Sequence, residues 1–244
     1  MMDETGVDKA VVFSVPFAWS LPREDNYYNT NDYIAEMQRK YPDRLVGFAC
    51  INPNYTGHAG LGMPNLAVKE LERCVRELGL RGVKIHPENH SFPVDSLIGS
   101  GLMNTLAALQ EETGRKIPVL SHGMTTIGAM PHQFGRLAGS YPDVPIIIAH
   151  GAGFQCLYFP SMQPVGEHDN LFVDTAMTTV DDSRLIGVAQ MLGVPKIIFG
   201  SDHFFRGQKN LYRNFFHILE GAFPDAADRA MILGGNMAGI LGCE

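Results

Sequence analysis

Ionisable residues fall directly after short apolar runs at five places: Lys84 and His86 end the run 82–86, His122 ends 117–122, His150 ends 145–150, Asp174 lies in 170–175 and Asp202 ends 196–202. In a parallel sheet covered by helices both strand faces are buried, so a charge at a strand's C-terminal edge is costly unless it is paired or functional. Two imidazoles and a carboxylate, from His122, His150 and Asp202, are the donor types that hold Zn2+ or a similar divalent ion. Alternation with period two puts His122 on the face of Leu120, His150 on that of Ile146 and Ile148, Asp202 on that of Ile198 and Gly200, and Lys84 on that of His86. If those faces point into a barrel, the residues converge at its mouth.

Each histidine taken singly also fits a hydrogen-bonded core or rim residue, and the shared position at strand ends is what favours function. Asp174 reads equally as a structural partner for a loop backbone. His203 goes to the opposite face from Asp202 unless the strand has already ended. His132 and His217 in helical segments, and His58, His90 and His168 in polar loops, read as solvated surface.

The elements that must position these residues follow from alternation of a larger kind. Apolar, β-branched runs at 9–15, 45–51, 82–86, 117–122, 145–150, 170–175 and 196–202 alternate with segments of helical periodicity, the pattern of parallel βαβ units. Helices are expected at 65–78, ended by Gly79, at 102–113, capped by Gly114, and at 181–192 and 210–220, with Asp225 and Asn236 as N-caps of two short closing helices. Connections after the strands are long (17–30, 52–64, 154–169) and those before them short, so the long loops gather on one face, as in a barrel enzyme. The first long loop reads as a substrate loop. Phe17, Trp19, Phe154, Tyr158, Phe159, Phe204 and Phe205 suit a flat, aromatic substrate or equally a dimer interface.

A chain of 244 residues, 45% hydrophobic, is expected to fold as a single domain, 1–244, around one large core. Its net charge of −7, with dispersed Lys and Arg, argues against a nucleic-acid partner and for a small-molecule substrate. The absence of a long apolar run or a signal-like start predicts a cytoplasmic protein with no membrane contact. A homo-oligomer is expected. Cys50, Cys74, Cys156 and Cys243 lack CxxC spacing and read as buried small hydrophobes, with neither a disulfide framework nor a thiolate metal site.

The blocks GVDKAVVF, YPDRLVGFACINP, LGLRGVKIHP, PVLSHG, IIIAHGAG, IIFGSDHFF and ILGGNMAGILG, in this order along nearly the whole chain, resemble the amidohydrolase superfamily in its amidohydrolase-related branch of metal-dependent hydrolases and nonoxidative decarboxylases. The resemblance implies a TIM-type (β/α)8 barrel holding one divalent metal ion, with zinc the expectation. It makes His122 a metal ligand, His150 a catalytic acid/base or second ligand, and Asp202 a metal ligand that shuttles a proton. Such proteins open with a strand bearing an HxH pair, and this chain contains no HxH. The expected fold is therefore an α/β barrel with the first strand missing, leaving a gap of roughly 10 Å between its neighbours, and a longer native chain is the preferred explanation. Metal can be absent for want of the HxH ligands.

The reaction implied first is hydrolysis of an amide, ester or lactone by a metal-activated water, with Asp202 taking its proton and His150 assisting the oxyanion or leaving group. Lys84, His86 and His203 are the expected substrate-binding residues. Two readings stand beside it: decarboxylation of an aromatic or enoic acid at the same site, and a metal-free, non-catalytic barrel that binds a small molecule or partner subunit.

Overall fold

The computed structural model describes residues 2–14, 27–54, 66–123, 128–151, 162–176, 182–203 and 211–243. Seven parallel strands form one sheet in sequence order: β1 (Ala10–Val12), β2 (Leu45–Cys50), β3 (Gly82–Ile85), β4 (Val119–His122), β5 (Ile146–Ala149), β6 (Leu171–Asp174) and β7 (Ile197–Ile198). A short α1 (Met2–Thr5) precedes them. Helices α2 (Tyr28–Lys40), α3 (Leu66–Arg76), α4 (Leu97–Thr113), α5 (Pro131–Ser140), α6 (Gln163–Glu167) and α7 (Asp182–Leu192) fill the crossovers. After β7 come α8 (Leu211–Ala222), α9 (Ala226–Ala230) and α10 (Asn236–Leu241). All seven expected strands are present, and the sheet curls as a TIM-type barrel lacking one strand, with β1 and β7 unpaired to each other among the described residues.

Alternation along the strands separates two apolar clusters. Val83, Ile85, Val119, Ile146, Ile148, Val173 and Ile197 pack outward with helix residues such as Leu71, Leu106 and Phe134. Val46, Phe48, Leu120, Ile147, Ala149 and Ile198 fill the lumen. Burying each of the large aliphatic side chains contributes about 1.5–3 kcal/mol, so the outer layer supplies most of the force that holds the helices on the wall. The lumen is tightly filled at its floor: a Cβ on Gly82 would lie 2.4 Å from the Phe48 ring. Helix α10 closes the end opposite the strand C-termini. Its Ile240 and Leu241 join the lumen cluster, and Arg81, just before β3, donates to Leu241 O at 2.7 Å.

Several element ends differ from expectation for local reasons. Helix α4 begins at Leu97 because the Ser96 hydroxyl accepts from Gly99 N at 3.4 Å; a fully solvated Leu97 and two glycines hide this turn from an apolar-periodicity reading. Asp225 caps α9 as expected, accepting from Ala227 N at 2.8 Å. Asn236 does not cap a separate helix. A π-helical turn, Met231–Gly235, runs continuously into α10, and the Asn236 amide instead donates to Val194 O and Ile197 O, tying α10 to the start of β7. The loop expected over 17–30 gives way to α2 from Tyr28. Its earlier part, and the seven loop aromatics, lie outside the described residues, as do His58 and Cys156. Cys50 and Cys74 are buried and unlinked, and Cys243 is half-buried. No helix among the described residues is long and apolar enough to cross a membrane.

Candidate active site

The lumen-facing positions at the strand C-termini bring chemistry together. Lys84 pairs in register with Cys50 and Leu120, and Leu120 belongs to the lumen cluster, so Lys84 faces inward and is almost wholly buried. His86 follows two residues later toward the mouth. On the neighbouring strand His122 lies opposite Ala149 and faces the same way. The two rings stack face to face, with centroids 3.8 Å apart and planes inclined by 10°.

His150 arrives by a different route. Ile146 and Ile148 pack outward, so simple alternation would send His150 into the helix layer. Its φ of 66° turns the chain in a left-handed step that a non-glycine residue rarely takes, and its ring lies in the mouth with Nε2 3.1 Å from His122 Nδ1. The backbone N–H of His150 donates to Asp174 Oδ1 at 2.7 Å. Its Nδ1 lies 3.2 Å from Ala176 O; a carbonyl only accepts, so the proton of the neutral ring sits on Nδ1 and leaves a lone pair on Nε2. Asp202 carries the second strained backbone at the mouth, with φ 50°. Such backbone conformations cluster at functional sites.

Electrostatics follow from this crowding. Burial, then the neighbouring charges of His86, Lys84 and His150, holds the His122 imidazole down to about 2. Burial and Lys84 hold His86 at about 3. Lys84 itself is pushed down by burial, which Asp174 and Asp202 oppose, and burial pushes the Asp174 carboxyl up against the pull of the His150 site and Lys84. Both stacked imidazoles are therefore neutral near pH 7, the form in which a histidine ligates metal.

Two groupings could hold a cation. The ligand atoms of His86, Glu88 and His122 lie within 4.8 Å of one another, the one such trio among the described residues. Stacked, nearly parallel rings confine their in-plane lone pairs to separate planes about one ring thickness apart, so they do not meet at a shared point, and Glu88 Oε2 is 3.9 Å from His122 Nε2. The edge-on pair His122 and His150 suits a metal better. Donors about 2.1 Å from one ion stand roughly 3.0–3.4 Å apart, and these nitrogens are 3.1 Å apart with planes at 66°; without an ion they share a hydrogen bond, His122 Nδ1–H donating to His150 Nε2, and an ion would replace it once the His122 proton moved to Nε2. The Asp202 charge opposes the lowering of Lys84 by burial, and Asp202 is outside the 4.8 Å trio. His203 follows it in a turn and is half-buried.

His90 is not the solvated loop residue expected. It is 2% exposed, takes the His86 backbone N–H on Nδ1 at 3.3 Å, returns its own N–H to His86 O at 2.9 Å, and meets the buried Tyr27 hydroxyl through Nε2 at 2.9 Å. The turn 87–91 thus grips His86 at both backbone atoms. Its spacing, four residues after His86 in an HPENH segment, is the signal that could have revealed it. Glu88 lies in the same segment.

A family model described as amidohydrolase matches residues 20–242, and the chain belongs to that enzyme family. A gamma-resorcylate decarboxylase of Polaromonas sp. (strain JS666) is 33% identical over 91 residues, which is 35% of this chain and 26% of that protein. The aligned segments span about a quarter of the length of the curated relatives. Among solved structures, 5-carboxyvanillate decarboxylase from Sphingomonas paucimobilis superposes with a TM-score of 0.70 at 16% identity, over 100% of this chain and 81% of its own. Dihydroxybenzoic acid decarboxylase from Polaromonas sp. JS666, with bound manganese and the inhibitor 2-nitroresorcinol, gives 0.69 at 20% identity, over 99% and 83%. At these identities the two structures speak for the fold.

Proposed function

We propose that this chain supports nonoxidative decarboxylation of a hydroxylated aromatic acid, with a divalent cation at the barrel mouth. The observation that carries the proposal is the convergence of three imidazoles, from His86, His122 and His150, above the buried Lys84. That set offers neutral nitrogen donors and a cation to an anionic aromatic ring. Decarboxylation is favoured here over the hydrolysis read first from the sequence, and the similarity to a gamma-resorcylate decarboxylase supports that preference.

His122, His150 and Asp202 are the residues that would hold the ion, with manganese the first to try, in place of the zinc expected, because a structural neighbour carries it. A bound ion would supply positive charge to an anionic substrate. Lys84 and His86 orient the same anion from below. The Asn89 N–H donates to His86 Nδ1 at 3.3 Å, so the neutral ring carries its proton on Nε2 and can give it to an oxygen acceptor. Asp202 delivers a proton to the ring carbon that bears the carboxylate; the carbon–carbon bond then breaks, CO2 leaves with its electrons returned to the ring, and Asp202 regains a proton from water. His203, next to Asp202 in sequence, is proposed as a further substrate contact.

The test is release of labelled CO2 from carboxyl-labelled 2,6-dihydroxybenzoate and 5-carboxyvanillate by the manganese-loaded protein, run beside a panel of amides and lactones. Manganese-dependent CO2 release supports the proposal. Hydrolysis of a panel member without CO2 release restores the hydrolytic reading.

A further inference from the structure

We propose that Asp174 is a positioning residue that decides on which side of the barrel wall His150 lies. This rests on the reading that His150 serves the mouth. The residues two and four places before His150, Ile148 and Ile146, belong to the outer layer, and an extended continuation of β5 would place the imidazole there. The left-handed φ of 66° reverses that outcome, and a non-glycine side chain holds such a conformation only where its surroundings over-determine it.

Asp174 supplies the determination. Its Oδ1 accepts from His150 N at 2.7 Å and from Ala176 N at 3.0 Å, while Ala176 O takes the Nδ1 proton of the same histidine at 3.2 Å. The segment from Asp174 to Ala176 thereby grips His150 at its backbone and at its ring, closing one hydrogen-bonded circuit. Room for the carboxylate comes from Gly200, where a Cβ would stand 3.1 Å from Asp174 Cγ and Oδ2. Gly151 gives the turn itself room, since a Cβ there would stand 2.7 Å from Val173 Cγ1. Asp174 is on the lumen face, opposite Ile198 in register, so the carboxylate draws the His150 backbone toward the lumen.

The experiment compares wild type with Asp174→Asn, Asp174→Ala, Asp174→Leu and His150→Ala. Two quantities are read: the nuclear Overhauser contact between the His122 and His150 ring protons in metal-free protein, and the Mn2+ dissociation constant by electron paramagnetic resonance. Asp174→Asn keeps an acceptor oxygen, so it retains the ring contact and stays within about threefold of wild type in Mn2+ affinity. Asp174→Ala loses the contact, and its Mn2+ affinity falls by about 10–100-fold, the usual effect of removing the group that orients a ligand. If Asp174→Ala does not fold, Asp174→Leu, which fills the same space without an acceptor oxygen, is expected to show the same loss. A folded Asp174→Ala, or in its place Asp174→Leu, that keeps the ring contact overturns the inference. Loss of the contact with unchanged Mn2+ affinity in both Asp174→Ala and His150→Ala upholds the positioning role and instead removes His150 from the metal site.

Discussion

His150 Nε2 lies 3.1 Å from His122 Nδ1, although strand alternation alone would put these two rings on opposite sides of the barrel wall. Converging nitrogens at that spacing are the part of the mouth best suited to a cation. Replacing His122 or His150 by Ala is therefore expected to weaken Mn2+ binding by at least about 10-fold. The measurement is the free-ion resonance signal in a Mn2+ titration, and a thermal melt should confirm that each variant is folded.

Acid sensitivity follows from the buried rings. His86, His90 and His122 are depressed to about 3, 3 and 2, chiefly by burial, while the same groups in an unfolded chain titrate near 6.5. Above about pH 6.5 both states are neutral and no stability is lost; as pH falls toward about 3 the unfolded state takes up protons that the native state refuses, and stability declines. For the fully enclosed His90 the slope is up to about 1.4 kcal/mol per pH unit. Urea midpoints of metal-free protein at pH 7.5 and 5 should differ accordingly, and His90→Asn should reduce that difference.

A buried carboxylate ties the wall together on the β2 side. Glu70 is fully enclosed and accepts from Asn31 at 2.9 Å, from Arg73 at 2.7 and 2.9 Å, and from the Cys74 thiol at 3.2 Å. Asn31 in turn exchanges hydrogen bonds with both backbone groups of Cys50. Glu70→Ala strands these partners and is expected to cost about 3–5 kcal/mol. Chemical denaturation measures it, and a cost below 1 kcal/mol would count against the network.

Lys84 is expected to act on substrate binding. Lys84→Met preserves length and lumen packing while removing the charge, and losing a charge-assisted contact of about 1.5–3 kcal/mol raises KM for a carboxylate substrate by roughly 10–100-fold. Steady-state kinetics check it; a fall in kcat at unchanged KM would place Lys84 in the chemical step instead.

The sheet was legible because parallel strands buried on both faces write themselves as apolar runs, and the ionisable residues at their ends stand out against that background. The way His150 reaches the site was not. Placing it on the face of Ile146 and Ile148 and then pointing that face inward merges two facts that the structure separates: those isoleucines face the helices, and a left-handed residue held by Asp174 brings the ring back. Period-two reasoning assumes extended backbone and has no means of registering a reversal of φ at the last position. His90 escaped for a related reason, since a polar loop composition does not reveal that its side chain accepts from the backbone of a neighbour four residues away.

The most direct test of the proposed reaction is decarboxylation of 2,6-dihydroxybenzoate in D2O by the manganese-loaded protein, followed by mass spectrometry. The expected products are resorcinol carrying one deuterium at the vacated ring carbon and CO2 in equal amount, with neither product from His122→Ala. Unchanged 2,6-dihydroxybenzoate and 5-carboxyvanillate, with wild type binding Mn2+ no better than His122→Ala, would contradict it.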